Sequence, residues 1–179
     1  MILREIIVIG PINKLNQLTI LARPKFHTPG VFSIDQLARY ALFVVEQAVK
    51  RIEAQGLSKE MSCIYDRTGM TNQSRDFLKL GLKVAPLFQE FYGDRMGNFF
   101  VIGATTAFWI GKKILTSFLS KKTNESMKLI YKLEELLPYF DKDVLFDFHG
   151  GNKKFVYDPH EMWGLPKDGE EENASEVGE

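Results

Sequence analysis

"FFVIGATTAFWIGKKILTSFLS", residues 99–120, is nearly apolar from Phe99 to Gly111, is interrupted by Lys112 and Lys113, and then turns apolar again. A membrane span needs about 20 apolar residues, and two lysines near its centre would cost several kcal/mol. The stretch therefore divides in two. "NFFVIGA" is apolar at successive positions, as a parallel strand buried on both faces should be. Residues 107–119 then predict an amphipathic helix. Ala107, Phe108, Ile114, Leu115, Phe118 and Leu119 repeat at helical spacing, with Trp109 and Ile110 widening that face. Lys112, Lys113, Thr116 and Ser117 take the other side, and Gly111 weakens the helix by about 1 kcal/mol relative to alanine. On pattern alone, a core helix with a solvated back fits as well as a helix at a ligand cavity or a membrane surface. Two features favour the latter. The apolar residues are bulky, each worth about 1.5–3 kcal/mol when buried. The flank is one-signed, with Lys112, Lys113, Lys121, Lys122, Lys128 and Lys132 against Glu125 alone.

Outward from this stretch, strands and helices alternate. "ILREIIVI" reads as a strand closed by Gly10-Pro11, and "QLTILARPKF" as a second strand. Ser33, with Gln36 three residues on, is a capping box that opens a helix. Its inner face carries Ile34, Leu37, Ala38, Ala41, Val45, Ala48 and Ile52, and Gly56 ends it. "MSCIYD", residues 61–66, is a short strand. A second helix is expected from Thr71 to about Tyr92, with Phe77, Leu80, Val84, Leu87, Phe88 and Phe91 inward and Pro86 costing one backbone hydrogen bond. "MKLIYK" reads as a strand, and "KLEELLPYF" as a helix stopped near Pro138. This order predicts an α/β fold with a mixed, mostly parallel β-sheet.

The 179 residues suit one domain with a core of its own. The formal net charge of zero hides an asymmetry: "KDGEEENASEVGE", residues 167–179, carries about −5, leaving about +5 on residues 1–166. The expected organisation is a folded unit over 1–166 and a disordered, solubilising acidic tail over 167–179. One cysteine, Cys63, excludes a disulfide framework and a cysteine zinc cluster. "MILREIIVIG" does not read as a signal peptide. The three Asn-x-Ser sites, at Asn72, Asn124 and Asn173, are therefore expected to be unused, in a cytoplasmic protein.

"YGDRMGNFFVIGATTAFW", "ILTSFLSKKT" and "LFDFHGG" together resemble the CRAL-TRIO lipid-binding domain family over roughly residues 12–160. Tyr92, Arg95, Met96, Gly97, Ala104, Phe118 and Leu119 match the pattern around the third strand. Leu145, Gly150 and Gly151 match the closing motif, and Asp66 and Gly69 of "CIYDRTGM" match a strand ending in Asp-x-x-Gly. The sequence departs from the family at Gly93, Gly103, Thr105, Phe146 and His149, and the small helical domain usual before the lobe is missing. "MILREIIVI", residues 1–9, or self-association would then complete the sheet's edge.

What the resemblance implies is a sheet flooring an apolar pocket, helices on the opposite face, and the 107–119 helix as a gate over the pocket. The ligand would be a phospholipid or another hydrophobic small molecule, exchanged at a transient anionic membrane surface, with peripheral membrane association. Pocket residues would be Met61, Cys63, Tyr65, Phe99, Val101, Phe108, Ile114, Leu115, Phe118 and Leu119. Membrane docking would fall to Lys112, Lys113, Lys121 and Lys122. Inositol-binding members place an acid, a threonine and a lysine at positions matching Asp94, Thr123 and Ser126 here. The lysine is absent, leaving Lys122 or Lys128 as substitutes, and Asp94 and Thr123 serve equally well as a turn acid and a helix cap. Of the positions at which choline-binding members carry hydroxyls, only Tyr65 keeps one. A more apolar ligand, such as a sterol-like or isoprenoid compound or a fatty acyl chain, is therefore also open.

Other chemistry finds little support in the sequence. There is no G-x-S-x-G elbow, phosphate-binding glycine loop or H-E-x-x-H, so no enzyme and no cofactor or metal is expected. His149 reads as a packing residue rather than a partner of Asp147, and Cys63 as buried and inert. The basic residues lack interleaved aromatics, so no nucleic acid is expected. A second reading is a module of the same fold that transfers no lipid and recruits to membranes or to a small GTPase.

Overall fold

The structure, a computed structural model, describes residues 5–71 and 74–158. The acidic segment 167–179, the 166/167 boundary, His160 and the sites at Asn72 and Asn173 lie outside the described residues. Five strands form one sheet in the order β1 (Ile7–Ile12), β2 (Leu18–Ala22), β3 (Met61–Asp66), β4 (Met96–Ile102) and β5 (Met127–Ile130). β1 pairs antiparallel with β2, and all other pairs are parallel. Each parallel step moves one place in the same direction across the sheet. Right-handed crossovers therefore put α1 (Ile34–Gln55), α2 (Ser74–Tyr92) and α3 (Thr106–Leu115) on one face. A short α4 (Lys121–Glu125) precedes β5.

The mixed, mostly parallel α/β sheet is the one expected. The far face is covered differently. Instead of helices it carries the segment from Tyr131 onward, whose only helical parts among the described residues are 3₁₀ turns at Leu133–Leu136 and Asp147–His149. The helix expected from "KLEELLPYF" is thus a single 3₁₀ turn over Leu133–Leu136. The backbone N–H groups of Tyr131 and Lys132 donate to the Glu135 carboxylate, which pins its start; Leu136 and Phe140 are both buried in the core, Phe140 against Phe100. Gly151 makes this cover possible. A Cβ there would lie 1.8 Å from the Leu145 carbonyl oxygen.

The capping box of α1 forms as expected, and Gly56 closes the helix in a left-handed conformation at φ 61°. β1 does not stop at Gly10-Pro11. It continues to Ile12, because it is an edge strand where a missing N–H is tolerated, and its register shifts between Ile9 and Ile12. β2 stops at Ala22, since Pro24 opens a 3₁₀ turn over Pro24–Phe26. α2 keeps Pro86 in its interior, and Phe91, expected inward, is exposed.

The helix expected over residues 107–119 is shorter than its pattern predicts. α3 ends at Leu115, Thr116–Phe118 tighten into a 3₁₀ turn, and Leu119 is extended. The hydroxyls of Thr116 and Ser117 donate to the carbonyls of Lys113 and Ile114, and Asn124 Nδ2 donates to those of Thr116 and Leu119. Such side-chain bonds compete with continuation of the helix.

Candidate functional site

Strand alternation decides which residues meet α1–α3. On β3, Met61, Cys63 and Tyr65 face the helices, and Cys63 pairs in register with Phe99 of β4. Between this floor and the helices lies a cavity of about 270 Å³. Ala41 and Val45 of α1 line it, as do Phe77, Leu80, Gly81, Val84, Ala85 and Phe88 of α2, and Phe108 and Leu115 of α3. Leu119 and Thr123 close one end, with Met96 and Met127 at the starts of their strands. The lining is apolar almost throughout; its one charged residue is Lys112, whose Nζ lies 5.2 Å from the Trp109 ring.

Burial shapes the titratable groups of the floor. The Cys63 thiol and the Tyr65 hydroxyl are each pushed up to about 12, first of all by desolvation. Both stay protonated at neutral pH, and the surface Cys63 retains belongs to the cavity rather than to bulk water.

Of the ten expected pocket residues, seven line the cavity: Met61, Cys63, Tyr65, Phe99, Phe108, Leu115 and Leu119. Three do not. Val101 is fully buried but short, and its larger register partner Tyr65 lines the cavity in its place. Ile114 is 44% exposed and Phe118 43%. Ile114 stands four residues after Ile110, which is 62% exposed, so the two share the outer face of α3. Phe118 follows the end of the helix and points outward with them. Trp109, expected to widen the inner face, is also exposed. α3 and the turn after it are therefore apolar on both sides, with Phe108 and Leu115 inside and Trp109, Ile110, Ile114 and Phe118 outside.

The head-group candidates do not converge. Thr123 is buried at the cavity end and shares its hydroxyl with Ser120 Oγ at 3.0 Å and Gln89 Oε1 at 3.4 Å. Lys122 Nζ is already paired with Glu60 Oε1 at 2.6 Å and with the Asp94 carbonyl at 3.1 Å. The Asp94 side chain is exposed. Lys128 lies in register with Phe100, on the face turned away from the cavity, with its Nζ 5.8 Å from the Tyr139 ring. Among the docking lysines, Lys121 pairs with Glu125 and Lys122 with Glu60, while no ion pair includes Lys112 or Lys113 among the described residues.

One residue at the site escaped the sequence reading. Arg67 follows β3 directly and is 8% exposed. Its guanidinium lies 5.1 Å from the Phe108 ring and 5.7 Å from the Tyr65 ring, both of which line the cavity. Its Nη2 donates to Thr105 Oγ1 at 3.3 Å, and its Nε has no hydrogen-bond partner. The available signal was a cation inside the Asp-x-x-Gly turn, next to a strand too apolar to solvate it. Among the described residues, no helix is long and apolar enough to cross a membrane.

This architecture has known counterparts. The chain is similar over 84% of its length to the crystal structure of Sfh5, with a TM-score of 0.71 at 16% identity and 55% of that chain covered, a likeness of fold. It is 29% identical over 93 residues to the CRAL-TRIO domain-containing protein C23B6.04c of Schizosaccharomyces pombe. That alignment takes in 52% of this chain and only 9% of the relative's length. The CRAL/TRIO domain model matches residues 5–151, which is most of the chain and takes in the sheet, the helices and most of the cover described above, so the chain belongs to the CRAL/TRIO family of lipid-binding domains.

Proposed function

We propose that the chain holds one hydrophobic, lipid-like ligand between its sheet and α1–α3, and takes it up or releases it at an anionic membrane surface through movement of α3. The observation that carries this reading is the two-sided apolarity of α3. A helix that only sealed a core would be solvated on its back. This one presents Phe108 and Leu115 to the cavity and Trp109, Ile110 and Ile114 outward, with Phe118 of the following turn, beside Lys112 and Lys113. Exposed bulky apolar groups next to unpaired lysines suit an interfacial helix. The alternative, a recruitment module for membranes or a small GTPase without transfer, has no need of an apolar cavity.

Leu115→Asp and Phe99→Asp test the reading, since a carboxylate in an apolar cavity is costly to bury. Uptake of a fluorescent acyl lipid is expected to fall at least tenfold in each variant. Unchanged uptake in a variant that remains folded by circular dichroism would refute the proposal.

A further inference from the structure

We infer that Arg67, packed behind the cavity-lining rings of Phe108 and Tyr65, forms with the start of α3 a site for a small acid group, and that the chain prefers a single-chain lipid carboxylate to its neutral counterpart. This rests on the lipid-holding reading above. Arg67 stands at the carboxyl end of β3, the side of a parallel sheet where ligands bind in open α/β folds. It is 8% exposed, no ion pair includes it among the described residues, and its buried Nε has no hydrogen-bond partner. A buried guanidinium without a counter-ion is costly, and a carboxylate offers two oxygens that match its fork.

A second feature converges on the same point. The N-cap residue of α3, Thr105, makes no side-chain bond to the helix's first turn; its Oγ1 accepts from Arg67 instead. The first N–H groups of α3 thus lack their usual side-chain acceptor, and the positive end of the helix dipole adds to the charge of Arg67. Gly103, at φ +67°, turns the chain tightly enough to bring these groups together, for a Cβ there would stand 3.2 Å from the Thr68 nitrogen. An acid group between Arg67 and the start of α3 would hold the gate against the sheet, its chain running past Phe108 and Tyr65 into the cavity. The near-complete burial of Arg67 limits the group to something small, and a cavity of about 270 Å³ is close to the lower limit of ligand pockets, which suits one acyl chain.

The test compares cis-parinaric acid with its methyl ester, both fluorescent on entering an apolar site. The native chain is expected to bind the acid at least tenfold more tightly than the ester. In Arg67→Met the advantage should vanish while ester affinity holds, and Arg67→Lys should keep part of it. Equal binding of acid and ester by the native chain overturns the inference without any variant, and so does an equal loss of both in Arg67→Met. If neither compound binds the native chain, it is the lipid-holding reading itself that fails. Inorganic phosphate at 10 mM should leave the acid bound. If phosphate displaces the acid, and alone raises the melting temperature only when Arg67 is present, the site belongs to a free anion and the lipid-acid assignment is wrong.

Discussion

Two buried polar side chains, Arg23 and Asp66, tie distant segments of the fold together, and Cys63 is a desolvated thiol on the cavity floor. Arg23 is buried with its guanidinium 4.6 Å from the rings of Phe26 and Phe148 and 4.4 Å from that of Phe155. It joins the end of β2 to the C-terminal cover. Desolvated cation–π contacts are worth up to about 2 kcal/mol each, so Arg23→Ala should lower stability by about 2 kcal/mol or more in urea unfolding. Asp66 is pulled two ways. Burial pushes its carboxyl up, but His149 Nε2 at 3.2 Å and the Thr68 N–H at 2.9 Å, with the Thr68 hydroxyl, outweigh that and hold it below the usual carboxylate range. A depressed folded-state pKa means the unfolded chain binds the proton more tightly. The resulting stability is complete above about pH 4 and is lost as pH falls through the folded value. Asp66→Asn should therefore cost about 1–3 kcal/mol at pH 7, with the gap to the native chain closing at pH 3. Cys63, with its thiol pushed up to about 12, should resist iodoacetamide at pH 8 under conditions that label the urea-unfolded chain, whose thiol returns to about 8.5.

At the scale of the element, α3 divides its labour by helical period. Phe108 and Leu115 are spaced seven residues, two turns, and face inward, while Ile110 and Ile114 are spaced four and face outward. Gly81 of α2 lets Leu115 approach, its Cβ position lying 3.1 Å from both Leu115 methyls. The lysines beside the outer face are not equivalent. Lys121 and Lys122 spend part of their charge on Glu125 and Glu60, whereas no ion pair holds Lys112 or Lys113 among the described residues. Each lysine near an anionic bilayer is worth about 1 kcal/mol. Replacing Lys112 and Lys113 by alanine should weaken binding to phosphatidylserine vesicles roughly thirtyfold, and replacing Lys121 and Lys122 should do less. Raising the salt should shrink both effects. Ile114→Glu should weaken vesicle binding while leaving the thermal unfolding midpoint nearly unchanged, because Ile114 belongs to no core.

For the molecule as a whole, the cavity has two chemically different ends. The end at the strand starts offers Thr123, already bonded within the protein, and Lys122, already paired. Past the opposite end, behind Phe108 and Tyr65, stands Arg67. A bulky phospholipid head at the Thr123 end finds Lys122 already paired and Lys128 across the sheet, which leaves Lys112 as the one charged residue of the lining. Phosphatidylinositol and phosphatidylcholine should accordingly compete within about threefold of each other in a vesicle transfer assay, with acyl contacts supplying most of the affinity. A strong preference for phosphatidylinositol, abolished by Thr123→Ala, would show that Lys122 exchanges Glu60 for the head group.

The sequence by itself determined the strand–helix order, the parallel sheet, the capping box at Ser33, the family motifs and most of the cavity floor. These rest on local chemistry: alternation on Met61, Cys63 and Tyr65, a cap three residues from its partner, an apolar strand too short to cross a bilayer. Only the tertiary structure decided that Ile114 and Phe118 face out, that Val101 lies hidden beside Tyr65, that Lys128 stands on the far face and that Lys122 is engaged. A helical pattern with apolar residues all round has no unique inward direction until a neighbour packs against it, and here Gly81 and Leu115 make that choice. Pairing is likewise invisible along the chain, since Lys122 and Glu60 are distant in sequence. Arg67 shows the same limit. Next to an aspartate in a turn it reads as solvated, and only the crossing of α3 over the end of β3 buries it without a counter-ion.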